Sequence, residues 1–300
     1  MRPAALAGVL APLTTPFDPE SGDVAPVPLR QQARDLLAAG LDGVVVAGST
    51  GEAALLDEAE KVRAVEWLRD VVPEDRWLVA GTGAESTRAA MRLARDAAAA
   101  GADAVLVTPP STYGSLLSPS AFADHFRRVA DASPIPVIVY NMPKYTHVML
   151  QESTLRALAD HERVAGFKDS SGDLKVFAGF RAALPRAAAL MGSGQLFYPA
   201  LELGAAGGVL AVACFAPRAC ARLYAAYRAG DYSGAGALQE RLTPLAREIV
   251  GALGPAGIKA AMDHAGIHGG GPVRPPLQAP DARQRARIAE LLAAAGIAAA

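Results

Sequence analysis

The chain has 300 residues, of which 51% are hydrophobic and 20% are charged, and its formal net charge is −1. That length and apolar content fit one large α/β domain or two ordinary ones, and the near-neutral charge argues against a nucleic-acid or membrane-surface partner. Two cysteines, Cys214 and Cys220, provide neither a disulfide framework nor a zinc site. They suit a reducing compartment, so we expect a cytoplasmic protein.

Eight short apolar runs along the chain predict eight β-strands. The first lies in MRPAALAGVLAPLTTPF, which is too short and too interrupted by Pro12 and Pro16 to be a membrane span. The runs are continuously apolar rather than alternating, which is typical of strands buried on both faces. In chain order they are AGVLAPLTT, GVVVAGS, WLVAGTG, AVLVTPP, PVIVYNMP, VAGFKDS, ALMGSG and GVLAVAC.

Segments with charged faces separate these runs and predict helices. Several begin at a capping residue, as at Ser86 and Ser118, and several end at a glycine, as at Gly40 and Gly101. The strands begin roughly every 20 to 35 residues, which is the spacing of βα units.

This alternation predicts a (β/α)₈ TIM barrel over residues 1–225. A doubly wound open sheet would show the same alternation, but the first βα turn lacks a Gly-x-Gly-x-x-Gly motif. Residues 226–300 carry helical patterns interrupted by GIHGGGPVRPPLQAP, and they predict a C-terminal helical segment. Its end, LLAAAGIAAA, is interpreted as a final amphipathic helix.

Reactive groups in such a barrel lie at the carboxyl ends of the strands. The residues there are mostly hydroxyl-bearing or glycine, with few His or Cys, which argues against a metal centre and against a Cys or His nucleophile. The five histidines are scattered without ligand spacing. The strand-end residues are Thr14, Thr15, Gly48–Glu52, Thr108, Tyr140, Asn141, Lys168–Ser170 and Gly192–Gly194.

Three of these stretches could carry chemistry, and each also has a purely structural interpretation. In AGSTGE, Ser49 and Thr50 could hold an anion at a helix N-terminus, or form an ordinary capped turn. Tyr140 in YNMP could relay a proton or pack in the core. Lys168 in VAGFKDSSGD could be a desolvated amine that adds to a carbonyl, or a structural lysine paired with Asp169 or another acid.

In this order and at these strand positions, GSTGE, YNMP and GFKDSSGD resemble the motifs of the dihydrodipicolinate synthase and N-acetylneuraminate lyase family. The resemblance extends from GVLAPLTTPF to PPLQ. It implies a class I aldolase on a (β/α)₈ barrel, which forms an imine with pyruvate or another 2-oxo acid and needs no metal or added cofactor. It also implies a homotetramer.

Carried over residue by residue, the resemblance implies a role for each matching position. Lys168 would form the imine, and Tyr140 would be the proton shuttle. Ser49 and Thr50 would hold the carboxylate of the 2-oxo acid. Leu210 would line the pyruvate pocket through its backbone.

Two departures from the synthase pattern point away from lysine biosynthesis. Synthases read Tyr-Asn-x-Pro-x-Arg, whereas this chain has YNMPKYT, with Tyr145 in place of the Arg that holds the semialdehyde carboxylate. They also carry Tyr-Tyr after Thr-Pro, whereas this chain has TPPSTYG, in which Tyr113 is the candidate replacement for substrate binding. Stretches such as GTGAEST and GIKAAMDHAGIHGGGPVRPPLQ look more like the 4-hydroxy-2-oxoglutarate aldolase branch, where Ser170 is expected near the substrate.

We therefore predict a lyase that forms or cleaves a carbon–carbon bond next to pyruvate, with a 4-hydroxy-2-oxoglutarate-like substrate favoured. The alternatives are a dihydrodipicolinate synthase acting on pyruvate and aspartate semialdehyde, a sugar-acid dehydratase or aldolase that uses the same imine, and a catalytically inactive barrel. An oxidoreductase on an open sheet is disfavoured because the nucleotide motif is missing. The sequence names no donor for a second substrate carboxylate.

Overall fold

Eight parallel strands pair in chain order and close into a barrel in the computed structural model, which describes residues 6–297. The predicted TIM barrel is confirmed, and the open-sheet alternative is wrong. The strands are β1 (Gly8–Pro12), β2 (Gly43–Val46), β3 (Trp77–Gly81), β4 (Ala104–Val107), β5 (Val137–Asn141), β6 (Val164–Asp169), β7 (Ala188–Met191) and β8 (Gly207–Val209).

Helices lie between successive strands, and three further helices follow the barrel as the predicted C-terminal extension. A π-helical segment, Leu245–Gly251, joins the first two of these three. The helices are α1 (Pro26–Ala38), α2 (Glu58–Arg69), α3 (Thr87–Ala99), α4 (Pro119–Ala132), α5 (Pro143–Thr146), α6 (Glu152–Arg156), α7 (Leu174–Ala183), α8 (Phe197–Glu202), α9 (Pro217–Arg228), α10 (Tyr232–Pro244), α11 (Ala252–His264) and α12 (Ala282–Ala294).

The helix boundaries follow the capping chemistry of the sequence. The Ser86 hydroxyl accepts a hydrogen bond from the Ala89 amide at 3.1 Å, and the Ser118 hydroxyl caps α4 in the same way. Gly40 and Gly101 have φ values of +98° and +100° just after α1 and α3, a conformation that side chains disfavour. No helix within residues 6–297 combines the length and apolarity needed to cross a membrane.

One expectation about a single element needs correction. GVLAVAC does not continue as a strand, because β8 ends at Val209 and Ala211–Cys214 form a 3₁₀ turn. The thiol of Cys214 then donates to the Pro12 carbonyl, which fixes this turn against β1. The last helix ends at Ala294, and residues 298–300 of the alanine-rich end lie outside the described part of the chain.

Side chains on alternate strand positions fill the barrel, as expected for strands covered on both faces. Along β6, Phe167 points outward and packs against Phe177 and Phe180 of α7, so Gly166 and Lys168 point inward. The interior cluster includes Leu10, Val45, Val79, Leu106, Ile138, Tyr140, Leu190 and Val209.

The C-terminal extension is fixed to the barrel by a buried ion pair. The ammonium of Lys259 on α11 lies 2.7 Å from the carboxylate of Glu52, in the loop after β2, and both side chains are almost fully buried. The Lys259 ammonium also donates to the Pro272 carbonyl at 2.6 Å and lies over the Phe17 ring. Burial lowers the pKa of Lys259, and the negative charge of Glu52 opposes that shift.

Arg274 also connects the C-terminal extension to the segment that follows β2. Its backbone amide donates to the Glu52 carboxylate at 2.8 Å, and its guanidinium forms two 2.7 Å hydrogen bonds with Glu60 at the start of α2. The division of the chain at residue 225 stays a prediction, since α9 contacts both β1 and α10.

We expect Lys259→Met to lower the free energy of unfolding by about 3–5 kcal/mol, because the substitution leaves the Glu52 carboxylate buried without its counter-ion. Denaturant unfolding of the two proteins measures this difference. Lys175→Met, at an exposed position on α7, is the matched control and should change stability by no more than about 0.5 kcal/mol. Equal stability of both variants would show that the ion pair does not anchor the extension.

Candidate active site

Tyr140 and Lys168 are direct neighbours across β5 and β6. Their Cα atoms are paired in the parallel register, so both side chains point into the barrel. Lys168 is 5% exposed, and its ammonium lies 4.0 Å from the centroid of the Tyr140 ring. Among residues 6–297 no carboxylate forms an ion pair with Lys168. The arrangement is a buried amine that faces the ring of a tyrosine, and this tyrosine also carries the phenol hydroxyl.

Asp169 is not the partner of Lys168. Adjacent strand residues point to opposite faces, and the buried Asp169 carboxylate accepts hydrogen bonds from the Asn141 amide and the Ser171 hydroxyl, each at 2.7 Å. Burial raises the pKa of Asp169, and these hydrogen bonds oppose the rise. The side-chain oxygen Oδ1 of Asn141 accepts from the Leu150 backbone amide, so this network fixes the loop that follows β5. The structural interpretation of Lys168 as the ion-pair partner of Asp169 is therefore wrong.

The GSTGE motif forms a tight turn at the end of β2. Ser49–Gly51 make a single 3₁₀ turn, and α2 begins only at Glu58, so the helix N-terminus expected at Ser49 and Thr50 is a 3₁₀ turn instead. A side chain on Gly51 would lie 2.9 Å from the Leu13 carbonyl, which explains the glycine. Within the described chain the hydroxyls of Ser49 and Thr50 have no hydrogen-bond partner, so both are free to bind a ligand.

Gly192, at the end of β7, makes room for the side chains at the end of β6. A Cβ atom on Gly192 would lie 1.9 Å from the Ser170 hydroxyl, 2.9 Å from the Asp169 carbonyl and 3.1 Å from Cε of Lys168. Ser170 and the end of Lys168 therefore both lie against Gly192, and the predicted contact of Ser170 with the substrate stays a prediction. Close packing against Ser170 and the lysine thus explains Gly192, whereas Gly194 packs against Val212 and Ala246.

Leu210 is fully buried, and its backbone groups are engaged within the protein. Its amide donates to the Leu10 carbonyl at 3.0 Å, and its carbonyl accepts from the Ala213 amide at 3.0 Å. Its proposed part in lining a pyruvate pocket stays a prediction.

A cavity of about 620 Å³ opens at the carboxyl ends of β2 to β5, within the size range of small-molecule sites. We call it the mouth cavity. Ser49 and Tyr140 line it. Lys168 faces the Tyr140 ring but is not among the lining residues, and neither are Thr50, Ser170 and Leu210. Tyr113 does not line it and is 69% exposed, so the structure of this single chain does not bring Tyr113 to the site.

The residues that line the mouth cavity without having been predicted for the site include Glu85, Tyr145 and Lys61. Glu85 follows β3, and its carboxylate accepts hydrogen bonds from the Ser111 hydroxyl and from the amides of Ser111 and Thr112. Burial alone would raise the pKa of Glu85, but these hydrogen bonds lower it overall. Glu85 could have been identified as a candidate site residue from its position after the end of a strand. Tyr145 and Lys61 also line the cavity, and nothing in the local sequence distinguishes Lys61 from other lysines on helix faces.

Neither metal nor thiol chemistry has an assembled site here. Within residues 6–297 no group of three or more His, Cys, Asp and Glu side chains is arranged to hold a metal ion. Cys214 and Cys220 are buried, and burial raises the pKa of both thiols, which disfavours a thiolate nucleophile.

The geometry of an unpaired lysine beside a tyrosine in a barrel agrees with what comparison with known proteins shows. A family model described as the dihydrodipicolinate synthetase family matches residues 5–295. The chain belongs to this family. As a family member it is a carbon–carbon lyase of the aldolase type that works through a lysine imine.

Relatives in the family match over nearly the whole chain. An uncharacterised DapA-like lyase of Halobacterium salinarum is 38% identical over 98% of this chain and 96% of its own length. The 4-hydroxy-tetrahydrodipicolinate synthase of Acidothermus cellulolyticus is 36% identical over 99% of this chain and 94% of its own. These names give the family and the class of enzyme, and not the 4-hydroxy-2-oxoglutarate branch.

Solved structures of family members agree with the fold. The dihydrodipicolinate synthase of Acinetobacter baumannii complexed with pyruvate has a TM-score of 0.91 at 28% identity, covering 98% of this chain and 100% of that chain. A prophage protein of the family from E. coli K12, also in complex with pyruvate, has a TM-score of 0.92 at 26% identity, covering 98% and 100% of the two chains.

We expect Gly192→Ala to reduce the activity of this family enzyme by at least about 10-fold, because a methyl group there displaces Ser170 and the end of Lys168 and such misplacement is costly for catalysis. Steady-state rates and denaturant unfolding are measured together. Gly236→Ala is the matched control, since its Cβ meets no atom within 4 Å and lies in α10. It should keep full activity and gain up to about 1 kcal/mol of stability. Full activity of Gly192→Ala would contradict the packing argument.

Proposed function

We propose that Lys168 is the lysine that forms the imine, and that its 2-oxo acid partner is pyruvate. The observation that carries the proposal is the buried Lys168 ammonium, free of any carboxylate in the described chain and held against the Tyr140 ring. A buried amine without a counter-ion is costly unless it has a chemical use. Pyruvate is bound in two solved structures of the family, which supports the choice of partner.

The proposed reaction begins when the neutral amine of Lys168 adds to the C2 carbonyl of the substrate. Uptake of one proton and loss of one water molecule give the protonated imine, which accepts electrons from a bond at C3. For a 4-hydroxy-2-oxo acid, the C4 hydroxyl loses its proton and the C3–C4 bond breaks. The aldehyde leaves, the resulting enamine takes up a proton at C3, and water releases pyruvate and the free lysine.

Three neighbouring groups have roles in this scheme. The Tyr140 phenol, beside the Lys168 ammonium, transfers protons to and from the reacting oxygen atoms. The free hydroxyls of Ser49 and Thr50 bind the carboxylate of the 2-oxo acid. The scheme needs no metal and no added cofactor, since the imine is the electron sink.

The substrate that we favour is 4-hydroxy-2-oxoglutarate or a close analogue, which would yield pyruvate and glyoxylate. Support comes from Tyr145, which stands where synthases place an arginine and lines the mouth cavity with a neutral phenol. Burial raises the pKa of Tyr145, and Tyr140 adds to the rise, so the phenol stays neutral. A site of this kind lacks the guanidinium that a semialdehyde carboxylate would require.

Dihydrodipicolinate synthase activity is the second candidate, and the names of several relatives favour it. A dehydratase would share the imine and differ only in the bond that breaks afterwards. Parallel assays offer pyruvate with glyoxylate or with aspartate semialdehyde. They distinguish the 4-hydroxy-2-oxoglutarate aldolase activity from the dihydrodipicolinate synthase activity. Release of water without carbon–carbon cleavage identifies the third.

We also infer a cytoplasmic homotetramer from the family resemblance. Tyr113, Leu116 and Tyr232 are exposed large apolar side chains, and burial between subunits would cover them. If a neighbouring subunit completes the site, Tyr113 is the side chain placed to reach it.

We expect borohydride reduction in the presence of pyruvate to attach one pyruvate-derived group to Lys168. Intact mass and peptide mapping locate the adduct. Lys168→Ala should remove both the adduct and turnover while the protein stays folded, and Lys175→Met should keep both. An adduct on another lysine, or turnover by Lys168→Ala, would remove Lys168 from this role; no adduct with any 2-oxo acid would make the chain an inactive barrel.

Tyr140→Phe should lower kcat by about 10²- to 10⁴-fold, the range of acid–base catalysis, because it deletes the phenol but keeps the ring against Lys168. The rate is measured with saturating substrate, and borohydride trapping of pyruvate is measured beside it. Tyr224→Phe is the control, since that phenol donates to the Ala206 carbonyl outside the mouth cavity. An unchanged kcat would make Tyr140 a packing residue.

A further inference from the structure

The last residues of β5 and β6, Asn141 and Asp169, form a second cross-strand pair in the barrel wall. We call it the strand-end pair. It lies one residue beyond the pair of Tyr140 and Lys168, and because neighbouring strand residues point to opposite faces, it lies on the outer face of the wall. Its two side chains are almost fully buried. Side chains therefore join the two strands at the point where the strands end.

The Asp169 carboxylate is an acceptor at which three donors meet. Nδ2 of Asn141 donates to it at 2.7 Å, and Ser171 donates through its hydroxyl at 2.7 Å and through its amide at 3.2 Å. Within residues 6–297 no cation forms an ion pair with this carboxylate. Position 169 therefore requires an acceptor of hydrogen bonds and not a partner for a positive charge.

The Asn141 amide is matched to its neighbours at each of its polar atoms. Its Oδ1 accepts from the Leu150 backbone amide at 3.1 Å, and its Nδ2 lies 3.4 Å from Sδ of Met149 in addition to its contact with Asp169. The donor end of the amide thus faces a carboxylate, and the acceptor end faces an N–H group. Such a fully bonded buried amide holds one orientation, and it fixes the end of β5 against the end of β6.

The backbone beside the strand-end pair continues into the candidate active site. The Ser170 amide donates to the Asn141 carbonyl at 2.9 Å, and the Gly192 amide donates to the Asp169 carbonyl at 2.7 Å. Lys168 precedes Asp169 directly, and a Cβ atom on Gly192 would lie 3.1 Å from Cε of this lysine. A displacement of the strand-end pair therefore displaces the lysine relative to its neighbour on β5.

We propose that Asn141 and Asp169 are positioning residues, which hold Tyr140 and Lys168 at the separation that the reaction requires. This rests on the proposed function, in which the lysine forms the imine and the phenol transfers protons. The strand-end pair does not touch the substrate, because its side chains lie on the outer face of the barrel wall. It therefore affects the rate of the reaction and not the binding of the 2-oxo acid carboxylate, which the proposed function assigns to the loop after β2.

Exchange of the C3 protons of pyruvate with deuterated water tests this proposal without knowledge of the natural aldehyde. Pyruvate forms the imine on Lys168, one C3 proton leaves to give the enamine, a deuteron from solvent takes its place, and water releases the labelled pyruvate. Proton NMR follows the loss of the methyl signal. The dependence of the rate on pyruvate concentration separates the maximal rate from half-saturation, and Lys168→Ala supplies the background rate.

Asn141→Ala and Asp169→Ala should each lower the maximal exchange rate by about 10- to 100-fold, since a misplacement of about 1 Å is costly for catalysis. Half-saturation by pyruvate should stay within about 3-fold of wild type, because substrate binding is unchanged. Since the two side chains act through one contact, the double variant should be no more than about 3-fold slower than the slower single variant.

Asp169→Asn is the conservative variant and should retain at least about a third of the wild-type rate. Its amide oxygen can accept from Asn141, and its amide nitrogen can donate to the Ser171 hydroxyl, which can act as an acceptor. Thr154→Ala is the matched control, since it removes a buried hydrogen bond to the Pro119 carbonyl in the helix layer. It should lose stability in denaturant unfolding and keep the exchange rate.

Borohydride trapping at saturating pyruvate reports whether each variant is folded and still carries a reactive Lys168. Asn141→Leu, which keeps the volume of the side chain but removes the amide, replaces Asn141→Ala if the alanine variant is unfolded, and the same loss of rate is expected. Wild-type exchange rates in the alanine or leucine variants would overturn the proposal. So would an additive double variant, an equal loss in Thr154→Ala, or an Asp169→Asn variant as slow as Asp169→Ala.

Failure of the proposed function gives a different result. In that case the wild-type protein itself exchanges no protons of pyruvate above the background rate and traps no 2-oxo acid on Lys168.

Discussion

The parallel register between β5 and β6 determines the chemistry that the barrel can support. It pairs Tyr140 with Lys168, and because paired residues of parallel strands share a face, it brings the phenol ring to 4.0 Å from the ammonium. A register irregularity between Val137 and Ile138 sets this pairing. A shift by one residue would direct Lys168 outward, toward the phenylalanines of α7, and would place Phe167 in the interior.

The buried lysines of the chain divide according to whether a counter-ion is supplied. Lys259 is paired with Glu52, and that pair, together with Arg274, holds the C-terminal extension against the loop that carries Ser49 and Thr50. Glu52 has a left-handed backbone with a φ of +58°, and the carboxylate contacts fix it there. Lys168 receives no such partner. The paired lysine stabilises the position of this loop, while Lys168 stays without a counter-ion against the Tyr140 ring.

Much of the fold and of the candidate site could be predicted from the sequence, because both depend on local sequence patterns. Eight continuously apolar runs predicted the strands of the barrel. The positions at the strand ends identified Lys168, Tyr140 and Ser49 as candidate site residues. The features that could not be predicted depend on which face of a strand a side chain occupies and on contacts between residues far apart in the sequence. Asp169 follows Lys168 in sequence, yet it points to the opposite face and binds Asn141. The contact between Glu52 and Lys259 joins segments that no short pattern relates, and Tyr113 required knowledge of where its loop turns.

Substrate choice in such a barrel can change while the imine chemistry stays constant, because different elements supply the two parts. The interior strand positions hold the lysine and the tyrosine, and the loops and α2 supply the wall of the mouth cavity. Gly254, with a φ of +58°, interrupts α11 beside the Tyr145 phenol, so a Cβ there would lie 3.1 Å from the phenol oxygen. The glycine thereby leaves space for a tyrosine at the position of the synthase arginine.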